Sequence, residues 1–343
     1  MTFHKVPTPA ERTVETARDW VRILADYRQP DTKRSIWELT VTLLPFLSLW
    51  ALAGWALSLH WALAMGIAAV NGMFLLRLFA IQHDCGHGSF LDNRRARDWI
   101  GRCLGVLTMT PYDVWRRCHA IHHSASGNLD SRGIGDLDTL TVDEYRARGP
   151  LGRLAYRAYR HPFVMFAIGP AYVFLLKQRL PFGVMHEGSR YWISAMGTNL
   201  SILALLSAFY LLGGWAALAF VWLPTVMVAG SVGVWLFYVQ HQFEETHWDM
   251  GPDWHLHEAA LHGSSHYDLP APLRWLTANI GIHHVHHLYS RIPFYRLPEV
   301  LRDHAELVEH SRLTLRSSLA CARLNLWHEP TRRLVRFSDL KSL

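Results

Sequence analysis

The sequence predicts an all-α integral membrane protein, four transmembrane helices beneath a cytoplasmic helical cap that holds a di-metal site. Three observations carry that prediction. Long runs of the chain contain no charged residue. The two turns expected between paired runs lack Lys and Arg, whereas the segments on the other side hold nearly all of them. Three clusters of histidine stand at or beyond the ends of the apolar runs.

Residues 1–35 read as a polar cytoplasmic lead-in without the apolar core of a signal peptide. An amphipathic helix is expected from Ala10 to Tyr27, with Val14, Ala17, Val21, Ile23 and Leu24 turned toward lipid or protein. Leu39 to Leu59 is a run of 21 residues without a charge. At about 1.5 Å per residue it can cross a hydrocarbon core of about 30 Å. After a short break from Ser58 to His60, a second span is predicted over 61–82, with Arg77 near its far end. Arg77 is expected to snorkel toward headgroups, or else to support the metal site from behind.

Residues 91–160 are rich in charge. Within them, Ser124 to Asp138 carries Gly, Ser, Asn and Asp, the composition of an ordered loop or lid. Pro162 to Leu176 is apolar but too short for a span, so it reads as re-entrant, interfacial or buried. Tyr191 to Gln240 holds no Asp, Glu, Lys or Arg, enough for two spans, 191–212 and 215–240, joined at Gly213-Gly214. By the positive-inside rule the N-terminal segment, the central region and the C-terminal region face the cytoplasm. The expected organisation is a lead-in (1–35), a membrane domain (36–300) and a basic cytoplasmic tail (301–343).

Composition agrees. Half of the residues are hydrophobic and 18% are charged, which suits neither a plain soluble enzyme nor a bundle made only of spans. The 15 tryptophans and 12 tyrosines fit a large membrane interface. A formal charge of +6 comes without a nucleic-acid motif, so anionic headgroups are the expected partner. Cys85, Cys103, Cys118 and Cys321 form no disulfide or zinc-knuckle spacing, in keeping with a reducing cytoplasm.

The chemistry lies in the histidines. His83 and His87 are four apart, and His119, His122 and His123 combine spacings of three and four. His283, His286 and His287 repeat that pattern. On a helix each set shares a face. Eight convergent imidazoles exceed what a catalytic base or a four-ligand zinc site needs. The carboxylates of a soluble di-iron bundle are missing from the matching positions. A pair of iron ions held by imidazole is the remaining choice. His284 points about 100° away from His283 and is expected to stay off the metal. His247, His255, His257, His262 and His266 lack the repeated spacing and read as a solvated loop. Asp84 either orients a box histidine or caps a helix. Glu244 and Glu245 support the site or are interface charge, and Cys85 is a packing residue.

The order H-x-x-x-H, H-x-x-H-H, H-x-x-H-H resembles the membrane fatty acid desaturase family. The flanking residues of 83–90 (HDCGHGSF), 238–244 (YVQHQFE) and 279–288 (NIGIHHVHHL) are most similar to bacterial acyl-lipid desaturases. The resemblance covers roughly residues 36 to 300. It implies iron ligands at His83, His87, His119, His122, His123, His283, His286 and His287, and adds a ninth, His241. It further implies two Fe2+ ions, dioxygen as co-substrate, a membrane lipid acyl chain as substrate and a ferredoxin-like or other external electron donor. Asp138 departs from the pattern, since similar proteins usually carry an aromatic residue there.

The expected function is therefore a fatty acid desaturase of the cytoplasmic membrane. The alternative with the same metals is a lipid or carotenoid hydroxylase or ketolase. A metal transporter or sensor fits poorly, because transport sites lie near the bilayer midplane and these histidines stand at span ends.

Overall fold

The computed structural model describes residues 16–343. It is built almost wholly of helices. The lead-in forms α1 (Ala17–Leu24) and a 3-10 turn over Ala25–Tyr27. Its apolar side faces protein: Ala17, Trp20, Ile23 and Leu24 are buried, and the Trp20 ring meets the edge of His304 at 5.2 Å. Val14 and the predicted helix start at Ala10 lie outside the described residues.

Three helical stretches are long and apolar enough to cross a membrane. The first two form a hairpin, α2 (Thr32–Leu57) and α3 (Trp61–His87). The Asp31 carboxylate caps α2 by accepting from the backbone N–H groups of Lys33 and Arg34. The His60 ring accepts from Ala62 N–H and starts α3. The predicted second span ended at residue 82, but the helix continues to His87 and stops only at Gly88, in the left-handed conformation (φ 82°). The first histidine cluster is thus part of a span helix rather than of the loop after it.

The third stretch is Ser189–His241, in which an 18-residue window reaches a mean hydropathy of 2.0. It comprises α9 (Ser189–Ala217), a π-turn over Leu218–Trp222 and α10 (Leu223–His241). As a straight rod it would measure about 80 Å. It is not straight, because Gly213 (φ −154°, ψ 16°) and Gly214 (φ 63°, ψ −157°) leave helical geometry. The chain changes direction there, and the two arms pack on different neighbours, α10 chiefly on α3. Trp50 of α2 touches both, its ring 4.9 Å from Phe209 and its indole N–H donating to the Thr225 hydroxyl. Helices α3 and α10 approach closely at Gly72, where an added Cβ would lie 2.7 Å from Val228 Cβ and 2.9 Å from the Thr225 carbonyl. That contact brings the ends of α3 and α10 to one level.

Between these stretches lie α4 (Arg94–Leu107), α5 (Tyr112–Ala125), α6 (Val142–Ala147) and α7 (Pro150–Tyr159). The apolar run after α7 forms π-turns over Val164–Ile168 and Tyr172–Leu176 around the short α8 (Gly169–Ala171). Phe174 and Pro170 pack against Gly230 of α10, while Phe163, Ile168, Tyr172 and Leu176 are exposed. This run is one-sided and lies against a span helix.

The C-terminal third contains α11 (Leu256–His262), α12 (Ala271–Leu276), α13 (His283–Leu288), α14 (Leu297–Asp303) and α15 (Leu315–Cys321). Strand β1 (His266–Asp268) pairs in parallel with β2 (Arg312–Thr314), and β3 (Leu326–His328) pairs antiparallel with β4 (Arg333–Val335). Residues after 300 are therefore integrated: Leu324, Leu326, Trp327, Leu334 and Val335 are all buried.

Arg77 follows neither expectation. It does not snorkel, being 1% exposed, and it bonds no box histidine. Its guanidinium pairs with Glu38 at 2.5 Å, donates to the Thr42 hydroxyl and the Trp275 carbonyl, and lies 4.1 Å from the Trp275 ring centroid. Glu38 precedes the charge-free run, so the hairpin sets it at the depth of Arg77. An unpaired buried carboxylate would cost more than the pair does.

Candidate metal centre

Four elements deliver the histidines. The last turns of α3 carry His83 and His87 on one face. Helix α5 carries His119, His122 and His123. The final residue of α10 is His241. The short helix α13 carries His283, His286 and His287. The spacings of three and four act as expected, because side chains one turn apart point the same way.

The nine predicted residues come together. His83, His87, His119, His123 and His286 form one group, and His122, His241 and His287 a second; within each group the donor atoms lie within 4.8 Å of one another. His283 belongs to neither group by that measure but adjoins the second, its Nε2 3.1 Å from His241 Nε2. Within the first group, Nε2 of His119 lies 2.9 Å from that of His87 and 3.1 Å from that of His123, and His286 Nε2 lies 3.2 Å from His123 Nε2. The groups are adjacent: the rings of His123 and His287 stack at 4.1 Å.

Electrostatics favour neutral imidazole. Burial pushes the pKa values of His119, His123, His283, His286 and His287 well below the ordinary imidazole value, and neighbouring imidazoles push the same way. A neutral ring keeps a lone pair free for metal. His122 is oriented by Asp136, whose Oδ1 lies 2.5 Å from His122 Nδ1. An ionised carboxylate only accepts, so the proton sits on Nδ1 and the Nε2 lone pair faces inward. That Nε2 is buried without a hydrogen-bond partner, as are His287 Nε2 and Nδ1 of His83, His241 and His283. Leaving such atoms unsatisfied costs about 1–3 kcal/mol each. Two groups of converging imidazoles, several with a buried nitrogen that has no partner, fit a pair of metal ions of the class that prefers nitrogen ligands.

Asp136 is the residue that sequence reasoning missed. It lies in the segment read as an ordered loop, 14 positions beyond His122, and no local spacing connects the two. Asp84 joins two boxes: Oδ2 accepts from Phe294 N–H at 2.8 Å, beyond the third cluster, and Oδ1 lies 3.5 Å from His83 Nδ1. Trp115 stacks on His119 with ring centroids 4.6 Å apart, and Phe237 lies 5.2 Å from both His122 and His241.

The remaining histidines stand apart. His284 is buried with its Nε2 donating to the Leu307 carbonyl at 3.0 Å, outside both groups as expected. The solvated-loop reading of 247–266 needs correction. Leu256–His262 is helical, and His266 is buried in β1 with its Nδ1 donating to the Val308 carbonyl at 2.6 Å. Pairing with β2, distant in sequence, is what buries it. Glu244 and Glu245 are exposed, and Cys85 is buried outside both groups.

Comparison with known proteins agrees. The family model described as "Fatty acid desaturase" matches residues 59–318. The chain is similar to a fatty acid desaturase of Bacillus subtilis (strain 168), 42% identical over 320 residues covering 93% of this chain and 90% of that protein. It is also similar to two proteins of Synechocystis sp., each 27% identical. For an sn-1 oleoyl-lipid 12-desaturase the match covers 66% of this chain and 64% of the relative. For an sn-1 acyl-lipid omega-3 desaturase (ferredoxin) it covers 66% and 63%. Because the family match takes in all three histidine clusters and His241, the chain belongs to the fatty acid desaturase family of oxidoreductases.

Proposed function

We propose that the chain binds two iron ions and, with dioxygen and an external electron donor, introduces a double bond into a membrane lipid acyl chain. The observation that carries this reading is the gathering of eight imidazoles into two adjacent groups, with His283 beside the second, at the ends of apolar helices. His83, His87, His119, His123 and His286 would hold one ion; His122, His241, His283 and His287 would hold the other. Bound iron would supply the activation of dioxygen needed to remove two hydrogens. The chain's own residues do the rest. Asp136 fixes the proton of His122 on Nδ1. Asp84 ties the segment after the third box to the first. Trp115 and Phe237 wall the histidines with apolar surface and exclude water from them.

Acyl lipid as substrate and ferredoxin as donor rest on the names of the Synechocystis relatives. Four passes rest on the break at Gly213-Gly214 and on Trp50 touching both arms. A cytoplasmic site rests on the bias of Lys and Arg toward the histidine side. The test is expression in a host without polyunsaturated lipid, followed by fatty acid analysis. A new double bond is the expected product. Its absence from iron-loaded protein supplied with a donor overturns the reading, and a product heavier by one oxygen atom points to hydroxylation instead.

A further inference from the structure

Ring nitrogens of two histidines approach within hydrogen-bond distance five times among the described residues. Four of these contacts belong to the centre above. The fifth lies outside it, behind α13: His262 Nδ1 lies 3.2 Å from His310 Nε2, and the His310 ring is 6.1 Å from that of His284. His262 is the last residue of α11, and His310 belongs to the segment that leads into β2.

The surroundings of this pair repeat the logic of His122 and Asp136. Glu258, one turn before His262, places Oε2 3.3 Å from His262 Nε2. The carboxylate accepts, so the proton sits on Nε2 and the Nδ1 lone pair faces His310. Glu258 is itself held, since its Oε1 accepts from the backbone N–H of Ala17. Burial pushes both His262 and His310 below the ordinary imidazole pKa, which favours the neutral rings. A carboxylate that takes the outer N–H of an imidazole and leaves its other nitrogen free is the recurring outer arrangement of a histidine metal site. The pair stands beside an open cleft of about 520 Å3, lined by His247, Asp249, Asp253, His255, Glu258, His262 and Arg332. His247 is already engaged by Asp249 and Arg332, so water entering through the cleft would complete the coordination shell.

We propose that His262 and His310 hold a third metal ion, a zinc-class divalent cation, outside the catalytic pair. Its effect would be mechanical. The segment carrying His310 also supplies the Leu307 carbonyl that receives His284 and the Val308 carbonyl that receives His266. A metal between His262 and His310 pins α11 to that segment, and so braces the back of α13.

The test uses the full chain in detergent with its iron in place and Zn2+ as the probe. Calorimetric titration is combined with measurement of iron in the same samples, which separates binding here from exchange at the centre. One further equivalent of Zn2+ is expected to bind with iron unchanged. His262→Asn and His310→Asn are each expected to weaken that binding at least about tenfold. Glu258→Gln keeps both imidazoles and removes only the orienting charge; about tenfold weaker binding is expected there too. Loss of iron from either histidine variant would place its effect at the catalytic centre and overturn the proposal. No additional equivalent in the parent protein, or parental affinity retained in either histidine variant, overturns the proposal.

Discussion

The Nδ1 of His122 lies 2.5 Å from Oδ1 of Asp136, so a residue of the 124–138 loop sets the tautomer of a histidine in the second imidazole group. Asp136→Asn keeps the shape but can present an N–H where an acceptor is needed. Metal affinity of the second group is expected to fall by about 10- to 100-fold while the first group keeps its ion. Iron per chain, measured against a graded series of chelators, checks this. Two ions held as tightly as in the parent would refute it.

His122 and His286 belong to different groups, so removing each should have a separable effect. His122→Ala and His286→Ala are both expected to abolish desaturation and to lower iron content, each chiefly through its own group. Product analysis and iron stoichiometry check the two halves independently. Normal iron in both variants would refute the ligand assignment.

The buried pair of Arg77 and Glu38 joins α2 to α3 and to the Trp275 carbonyl of α12. Glu38→Ala leaves the guanidinium buried without its carboxylate. The expected loss is about 3–5 kcal/mol, visible as a lower midpoint of unfolding in detergent. Glu38→Met combined with Arg77→Met removes both charges and is expected to recover much of that loss. A double variant no more stable than Glu38→Ala would refute this account.

The depressed pKa values of His119, His123, His283, His286 and His287 give the metal-free protein a pH dependence of definite sign. Below the ordinary imidazole value of about 6.5 the unfolded chain takes up protons that the folded chain refuses. Stability is therefore full above that pH and falls as pH drops through it. Thermal unfolding of chelator-treated protein from pH 8 to pH 5 measures it. A midpoint that stays level or rises on acidification would contradict the assignment. Iron-loaded protein should hold its midpoint to lower pH, since bound metal competes with protons for the same lone pairs.

The parts of this site legible in the sequence are those set by local geometry. The box histidines are three and four apart on single helices, and helix periodicity carries that spacing into space unchanged. His241 is one histidine after an apolar run, and only the flanking motif distinguished it. Asp136 was not legible, because its contact with His122 depends on how a loop closes over α5. The burial of His266 depends on pairing with Arg312, and the pairing of Arg77 with Glu38 on the register of a hairpin. Such long-range contacts leave no periodic signature. The long apolar run of 191–240 was legible as two arms because Gly213-Gly214 is the natural place for a turn, and the backbone does leave helical geometry there.

Helix α3 runs without interruption from Trp61 to His87, so its apolar length and the first pair of box histidines share one axis. Adding a single residue between Gly72 and His83 would swing both imidazoles about 100° around that axis and lift them about 1.5 Å. The apolar portion of α3 thus works as a gauge, its length fixing the bearing and height at which these two imidazoles emerge.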